Sequence, residues 1–177
     1  MLVFGGSQGA RVMADIVPEG LEQLASDIGP RLKVVQQARD EDLPRVVETY
    51  KRAGIRAEVA PFFSDLPARM AQSHLVISRS GASTVAELAA IGRPALMVPL
   101  PHALDQDQLF NGMVLEKAGG GVVIKQSDFT PERVALELSS LAADPARLAG
   151  MAKAAKSAGT LDAADRLADL VIRISGR

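Results

Sequence analysis

Six short runs rich in apolar and β-branched residues recur along the chain, each followed by a longer stretch with helical periodicity. That alternation leaves few folds open. The runs predict strands over Leu2–Phe4, Leu32–Gln36, Arg56–Ala60, Leu75–Ser78, Ala95–Leu100 and Gly121–Lys125. Leu96-Met97-Val98 is apolar without interruption, as expected of a strand covered on both faces. Helices are expected over Gly9–Ile28, Glu41–Ala53, Leu66–Gln72, Thr84–Ile91 and Asp107–Gly119, with three more over Pro131–Ala142, Pro145–Ala158 and Leu161–Ile174. Ser64-Asp65 and Ser83-Thr84 read as helix N-caps, and Gly54, Gly92 and Gly119 as C-terminal stops. Thr130-Pro131 puts a proline at a first helical position, where its missing N–H costs nothing. Strand alternating with helix throughout predicts one α/β domain over residues 1–177, a doubly wound parallel sheet of the Rossmann-like kind.

The core of such a domain must come from aliphatic side chains, because aromatics are 3% of the 177 residues and Trp is absent. Twenty basic residues face 21 acidic ones, a net charge of -1, which argues against a duplex-binding surface. With no cysteine and only His74 and His102, disulfides and thiolate metal sites are excluded. Apolar runs are broken within about ten residues, too short for a membrane span or a signal peptide. Met1-Leu2-Val3-Phe4 reaches glycine after four residues and reads as the end of a longer strand, as in a piece of a larger protein.

In a doubly wound sheet, ligands bind at the carboxyl ends of the strands. Three loops there carry the functional question. The first, Gly5-Gly6-Ser7-Gln8-Gly9-Ala10, is either a bare βα turn or an anion cradle, in which glycines admit a phosphate and a helix N-terminus offers free N–H groups. It is not a P-loop, since Ala10-Arg11-Val12 stands where Lys and Ser/Thr are needed. A nicotinamide site is disfavoured as well, because Gln36-Gln37 replaces the acid expected after the second strand.

The second loop is Arg79-Ser80-Gly81-Ala82-Ser83-Thr84-Val85-Ala86-Glu87. Glu87 there is either a first-turn or capping-box residue, or a carboxylate for two ribose hydroxyls beside a phosphate-binding helix end. The third runs from Pro99 to Asn111. Its His102 is either a base or, as loop histidines more often are, simply solvated, and Asp105-Gln106-Asp107 reads as cap and dipole residues rather than a metal motif. Gln108 and Asn111, three apart on one helix face, suit sugar hydroxyls, which need both donors and acceptors.

In this order and spacing, Gly-Gly-Ser-Gln-Gly-Ala at 5–10, Arg-Ser-Gly-Ala-Ser-Thr-Val-Ala-Glu at 79–87, and His102 with Gln108 and Asn111 are similar to one family. They resemble the family 28 glycosyltransferases that move N-acetylglucosamine from UDP onto lipid-linked muramyl-pentapeptide in peptidoglycan synthesis. The likeness runs from Leu2 to about Arg173. It implies a two-domain GT-B enzyme, inverting and without metal or other cofactor, of which this chain is the C-terminal, donor-binding half. Ser7, Gln8 and Gly9 would hold the diphosphate, and Phe63 would meet uracil through its backbone. Ala82, Ser83, Thr84 and Val85 would line phosphate and ribose, and Glu87 would take the ribose hydroxyls. Gln108 would read the sugar, with Asn111 close by. No catalytic residue is expected in these 177 residues, since the family's general base and membrane-facing patch lie upstream. The implied partners are UDP-N-acetylglucosamine and, through the upstream half, a lipid-linked acceptor at the cytoplasmic face of the bacterial inner membrane. Nucleic acid is not among them. After the second strand the family often has His-Gln-(Ser/Thr)-Gly, whereas Gln36-Gln37-Ala38-Arg39 stands here, and no ligand contact is assigned to that loop.

Two other functions fit the same residues. One is a self-standing half-transferase that works with a separate membrane subunit. The other is a nucleotide-binding α/β module without catalysis. The first is tested by the coding sequence upstream of Met1, the second by UDP binding without transfer in the presence of any partner.

Overall fold

The computed structural model of the chain describes residues 1–6, 10–101 and 106–176. The strands are β1 (Leu2–Phe4), β2 (Lys33–Gln37), β3 (Arg56–Ala60), β4 (Val76–Ser78), β5 (Ala95–Met97) and β6 (Gly121–Val123). The helices are α1 (Arg11–Glu22), α2 (Leu43–Arg52), α3 (Leu66–Ala71), α4 (Ala82–Ile91), α5 (Asp107–Lys117), α6 (Pro131–Ala143), α7 (Pro145–Ser157) and α8 (Ala163–Ser175). All six strands pair in parallel, in the order β3-β2-β1-β4-β5-β6. The chain starts at the centre of the sheet, winds out through β2 and β3, and returns to lay β4 against the other side of β1. The switch between β1 and β4 is the crevice where such sheets hold ligands.

Side-chain alternation along β1 divides the core in two. Val3 faces the layer containing Met13, Val17, Tyr50 and Val134, while Leu2 and Phe4 face Met70, Leu88 and Leu115 on the other side. Both faces are therefore covered, which explains the unbroken apolar runs. At Gly20 of α1, a Cβ would stand 2.8 Å from the Pro131 carbonyl, so the glycine permits the close crossing of α1 and α6.

Several boundaries differ from those expected: α2 and α8 start two residues late, at Leu43 and Ala163, α5 ends at Lys117, and β5 and β6 stop at Met97 and Val123. α1 stops at Glu22 instead of continuing to Ile28, and the chain goes on through turns to a 3-10 turn at Gly29–Arg31. Gly29-Pro30 cannot prolong a helix, and bonds from Leu24, Asp27 and Ile28 N–H groups back to Leu21 and Leu24 carbonyls satisfy the backbone there. Within α1, Pro18 has no N–H to offer the Ala14 carbonyl, and Arg45 of α2 donates to that carbonyl instead, at 3.1 Å. α4 begins two residues early, at Ala82, with Gly81 as its N-cap and no capping side chain. Ser83 and Thr84 are thus inside the first turn. The C-terminal stops fall as expected: Gly54, Gly92 and Gly119 all have positive φ. Thr130 caps α6 through its hydroxyl, which accepts from Arg133 N–H at 3.2 Å.

Candidate functional site

Three of the loops at the carboxyl ends of the strands meet around one cavity. After β1 the chain bends at Gly5 and Gly6. A Cβ on Gly5 would lie 2.0 Å from Ala10 N, and Gly6 has a φ of 95°, so both positions require glycine. Ala10 is the N-cap of α1 and makes no side-chain cap bond. Ser7, Gln8 and Gly9, expected to hold a diphosphate, lie outside the described residues, as do His102 and Asp105.

The β3–α3 loop, Pro61 to Asp65, is pinned from below. Phe63 is only 8% exposed, whereas its neighbour Phe62 is 67% exposed. The Arg69 guanidinium covers the Phe63 ring, 4.3 Å from its centroid. Arg69 also binds Asp65 at 2.6 Å and Glu58 at 2.9 Å. Asp65 sits at the N-cap position of α3 but does not cap it, because Arg69 has taken its carboxylate. The Arg69 hydrogen bond holds both Asp65 and Glu58 below the usual carboxylate range. Phe63 is nonetheless among the residues that line the cavity described below.

The β4–α4 loop supplies the third wall. Ser80 is buried and Gly81 opens α4 with no acidic residue in its first turn and no side-chain cap, so the helix supplies no anion of its own to its first-turn N–H groups. Glu87 is in the second turn, not the first. Neither capping nor first-turn dipole placement, both open from the sequence, therefore accounts for this carboxylate. Its half-buried side chain lines a cavity of about 170 Å³ together with Ser83, Thr84, Phe63 and Gly6. Phe4, Phe62 and Leu66 complete its apolar wall. Gln37 lines it too, although no contact was assigned to that position. Val85 is buried in the core, its N–H donates to the Gly81 carbonyl at 3.0 Å, and it does not line the cavity.

Gln108 and Asn111 are not among the residues around this cavity. Both are half-buried on the first turns of α5, and the Gln108 amide oxygen accepts the Leu100 N–H at 3.0 Å. The carboxamide nitrogen remains as its donor. Gln106, the N-cap of α5, holds φ 49°, an uncommon left-handed conformation for a side chain of that size. Arg79 fixes the start of the same loop: its guanidinium donates to the Val98 and Pro99 carbonyls at 3.1 and 3.0 Å and to Gln126 at 2.7 Å. Burial lowers its pKa, and among the described residues no carboxylate pairs with it.

A larger hollow of about 520 Å³ lies elsewhere, near Met1, Lys33 and His74 at the amino ends of the strands. Volume alone would favour it. It lacks the glycine bend and the long-helix N-terminus, and the position of ligands in doubly wound sheets favours the smaller cavity. Among the described residues no three His, Asp or Glu side chains group as metal ligands.

A doubly wound sheet with a glycine bend after its first strand, and an uncapped helix start beside it, defines a Rossmann-like domain of the nucleotide-binding type. The chain belongs to glycosyltransferase family 28 as its C-terminal domain, whose family model matches residues 1–167. It is 64% identical over 176 residues to the UDP-N-acetylglucosamine–N-acetylmuramyl-(pentapeptide) pyrophosphoryl-undecaprenol N-acetylglucosamine transferase of Rhodopseudomonas palustris strain BisB18, covering 99% of this chain and 47% of that protein. The transferase of the same name from Nitrobacter hamburgensis is 62% identical over 175 residues, with 99% and 47% covered. Among solved structures, Acinetobacter baumannii MurG superimposes with a TM-score of 0.87 at 30% identity, over 97% of this chain and 49% of that one. This chain therefore spans about half the length of the curated relatives it matches. The fold is that of one half of a GT-B glycosyltransferase. A Staphylococcus aureus MnaA–UDP co-structure, TM-score 0.72 at 15% identity, shares the fold alone.

Proposed function

We propose that this chain is the UDP-N-acetylglucosamine-binding half of an inverting, metal-independent transferase that converts lipid I to lipid II. The observation that carries the proposal is the convergence of Gly6, the Phe63 loop, the uncapped start of α4 and Glu87 on one cavity. At about 170 Å³ that cavity suits the nucleoside end of the donor rather than the whole molecule. Uracil lies against the Phe63 backbone, and the ribose hydroxyls donate to the Glu87 carboxylate. The diphosphate reaches across Ala82–Val85 towards Ser7, Gln8 and Gly9, and the sugar extends to Gln108 and Asn111.

In the reaction, an acceptor hydroxyl attacks the anomeric carbon and the bond from that carbon to the diphosphate oxygen breaks. The hydroxyl proton passes to a base supplied by the other half of the enzyme, and UDP leaves with the bonding electrons. Fixed N–H groups at the starts of α1 and α4 stabilise its growing charge without reorganising. The lipid-linked acceptor and the cytoplasmic face of the inner membrane are engaged through that other half. No helix among the described residues is long and apolar enough to cross a membrane. Calorimetric titration with UDP-N-acetylglucosamine, UDP-glucose, UDP and NADH tests the reading. Binding of the uridine ligands alone is expected, and preference for NADH would overturn it.

A further inference from the structure

Gln37, the last residue of β2, is 7% exposed and lies between two of the three loops around the cavity. Its carboxamide oxygen accepts the Gly5 N–H at 3.2 Å, and its carboxamide nitrogen donates to the Pro61 carbonyl at 3.2 Å. Chemistry fixes the orientation of the amide: a peptide N–H faces only the oxygen and a peptide carbonyl only the NH2. Gly5 opens the glycine bend after β1, and Pro61 opens the loop that carries Phe63. One side chain at the end of β2, the strand between β1 and β3, thus spans from the phosphate end of the site to its nucleobase end.

From this geometry we infer that Gln37 is a positioning residue that holds these two loops at a fixed separation and so prepares the site for a nucleoside diphosphate. The inference rests on the nucleotide-binding reading above. The neighbouring Gln36 does a different task. It is fully buried, donates to the Met13 carbonyl at 3.2 Å and accepts from the Tyr50 hydroxyl, which ties β2 to α1 and α2 away from the cavity. Of the two adjacent glutamines, one braces the layer behind the sheet and the other braces the ligand side.

The role needs a donor and an acceptor at the tip of one side chain. Methionine has similar length and neither function. An ionised glutamate keeps the acceptor for Gly5 but sets a second oxygen against the Pro61 carbonyl. A protonated glutamic acid regains a donor, and with it the whole pattern.

The experiment is UDP titration of the 177-residue chain as parent, Gln37→Met and Gln37→Glu, at several pH values, with melting of each unliganded protein. Gln37→Met is expected to weaken UDP binding about tenfold with the melting temperature within a few degrees of the parent. Gln37→Glu is expected to show a similar loss at pH 7.5 and to recover relative to the parent as the pH is lowered towards 5. If the parent binds UDP and both variants bind it equally well, or if Gln37→Met only melts lower, the inference fails while the nucleotide-binding reading stands. A glutamate loss that does not recover with acid also overturns it. A parent that binds no UDP takes down both.

Discussion

The Arg69 guanidinium lies over the Phe63 ring, 4.3 Å from its centroid, and the same group is tied to Asp65 and Glu58. Phe63 is thereby held in the loop beside the cavity, and the proposed contact with uracil falls to its backbone. Removing the clamp without removing bulk isolates this effect. Arg69→Met is expected to weaken UDP binding about three- to tenfold and to leave pyrophosphate binding, which needs no base contact, nearly unchanged. Equal losses for both ligands would show that Arg69 acts on the fold and not on the loop.

The same clamp sets a dependence on pH. Asp65 and Glu58 have ordinary values of 3.8 and 4.5, and the hydrogen bond from Arg69 lowers both in the folded chain. A carboxylate with a depressed folded pKa adds stability that is fully present above its unfolded value and is lost as the pH falls through the folded one. Any melting-temperature advantage of the parent over Arg69→Met is therefore expected to hold from pH 7 to about 5 and to shrink below about 4. An advantage that grows in acid would contradict the ion pairs. Because these groups face solvent, added salt should also reduce it.

Most of the architecture was legible in the sequence because it is written locally. The glycines after helices, Thr130-Pro131 and the solid apolar strands each act within a few residues of themselves. The glycine bend was legible for the same reason, since Gly5 meets Ala10 only five positions on. What escaped was set by particular bonds and turns that periodicity does not show, only some of them distant. Gln37 bonds to groups 32 and 24 residues away, so no spacing pattern announces it. Ser83 and Thr84 look like caps, yet Gly81 leaves β4 already extended, and the helix starts before them. The end of α1 was misjudged because helical periodicity continues past Glu22 while the Gly29-Pro30 turn dictates the path. A signal was present for Asp65 as well: an arginine four residues on competes for the carboxylate that would otherwise cap.

Gly5→Ala tests whether the bend is obligatory. The added Cβ meets backbone and side chain of Ala10 at 2.0 and 2.4 Å, and neither can swing aside as a flexible side-chain tip would. The start of α1 has to move, at a cost of roughly 1–3 kcal/mol for overpacking. Thermal melting and pyrophosphate titration are expected to show both a less stable domain and weakened anion binding. Unchanged pyrophosphate affinity would remove this bend from the ligand site.

Binding of UDP and UDP-N-acetylglucosamine is expected to persist in excess EDTA. The donor groups assigned to the diphosphate are backbone N–H groups at the starts of α1 and α4, which carry fixed partial charge and need no counter-ion. Loss of binding on chelation, restored by magnesium or manganese, would bring Asp105 and Asp107 forward as metal ligands. It would also set aside the metal-independent mechanism.

Glu87 gives the most specific test of the residue assignments. In the second turn of α4 it caps nothing, and among the described residues no ion pair uses its carboxylate, so its replacement by alanine has little to take from the unliganded fold. As a ribose ligand it accepts two hydroxyl hydrogen bonds, each worth roughly 1.5–3 kcal/mol before desolvation is subtracted. Glu87→Ala is accordingly expected to lower UDP affinity about tenfold to a hundredfold while the melting temperature stays within a few degrees of the parent. Pyrophosphate, which has no ribose, should bind the variant as it binds the parent or better, since a negative charge beside the anion has gone. Glu87→Gln separates charge from shape, because its amide accepts at only one atom and should recover part of the loss. Should Glu87→Ala lose stability and keep its UDP affinity, the carboxylate belongs to the scaffold, and the ribose must be sought elsewhere along the β1–β4 crevice.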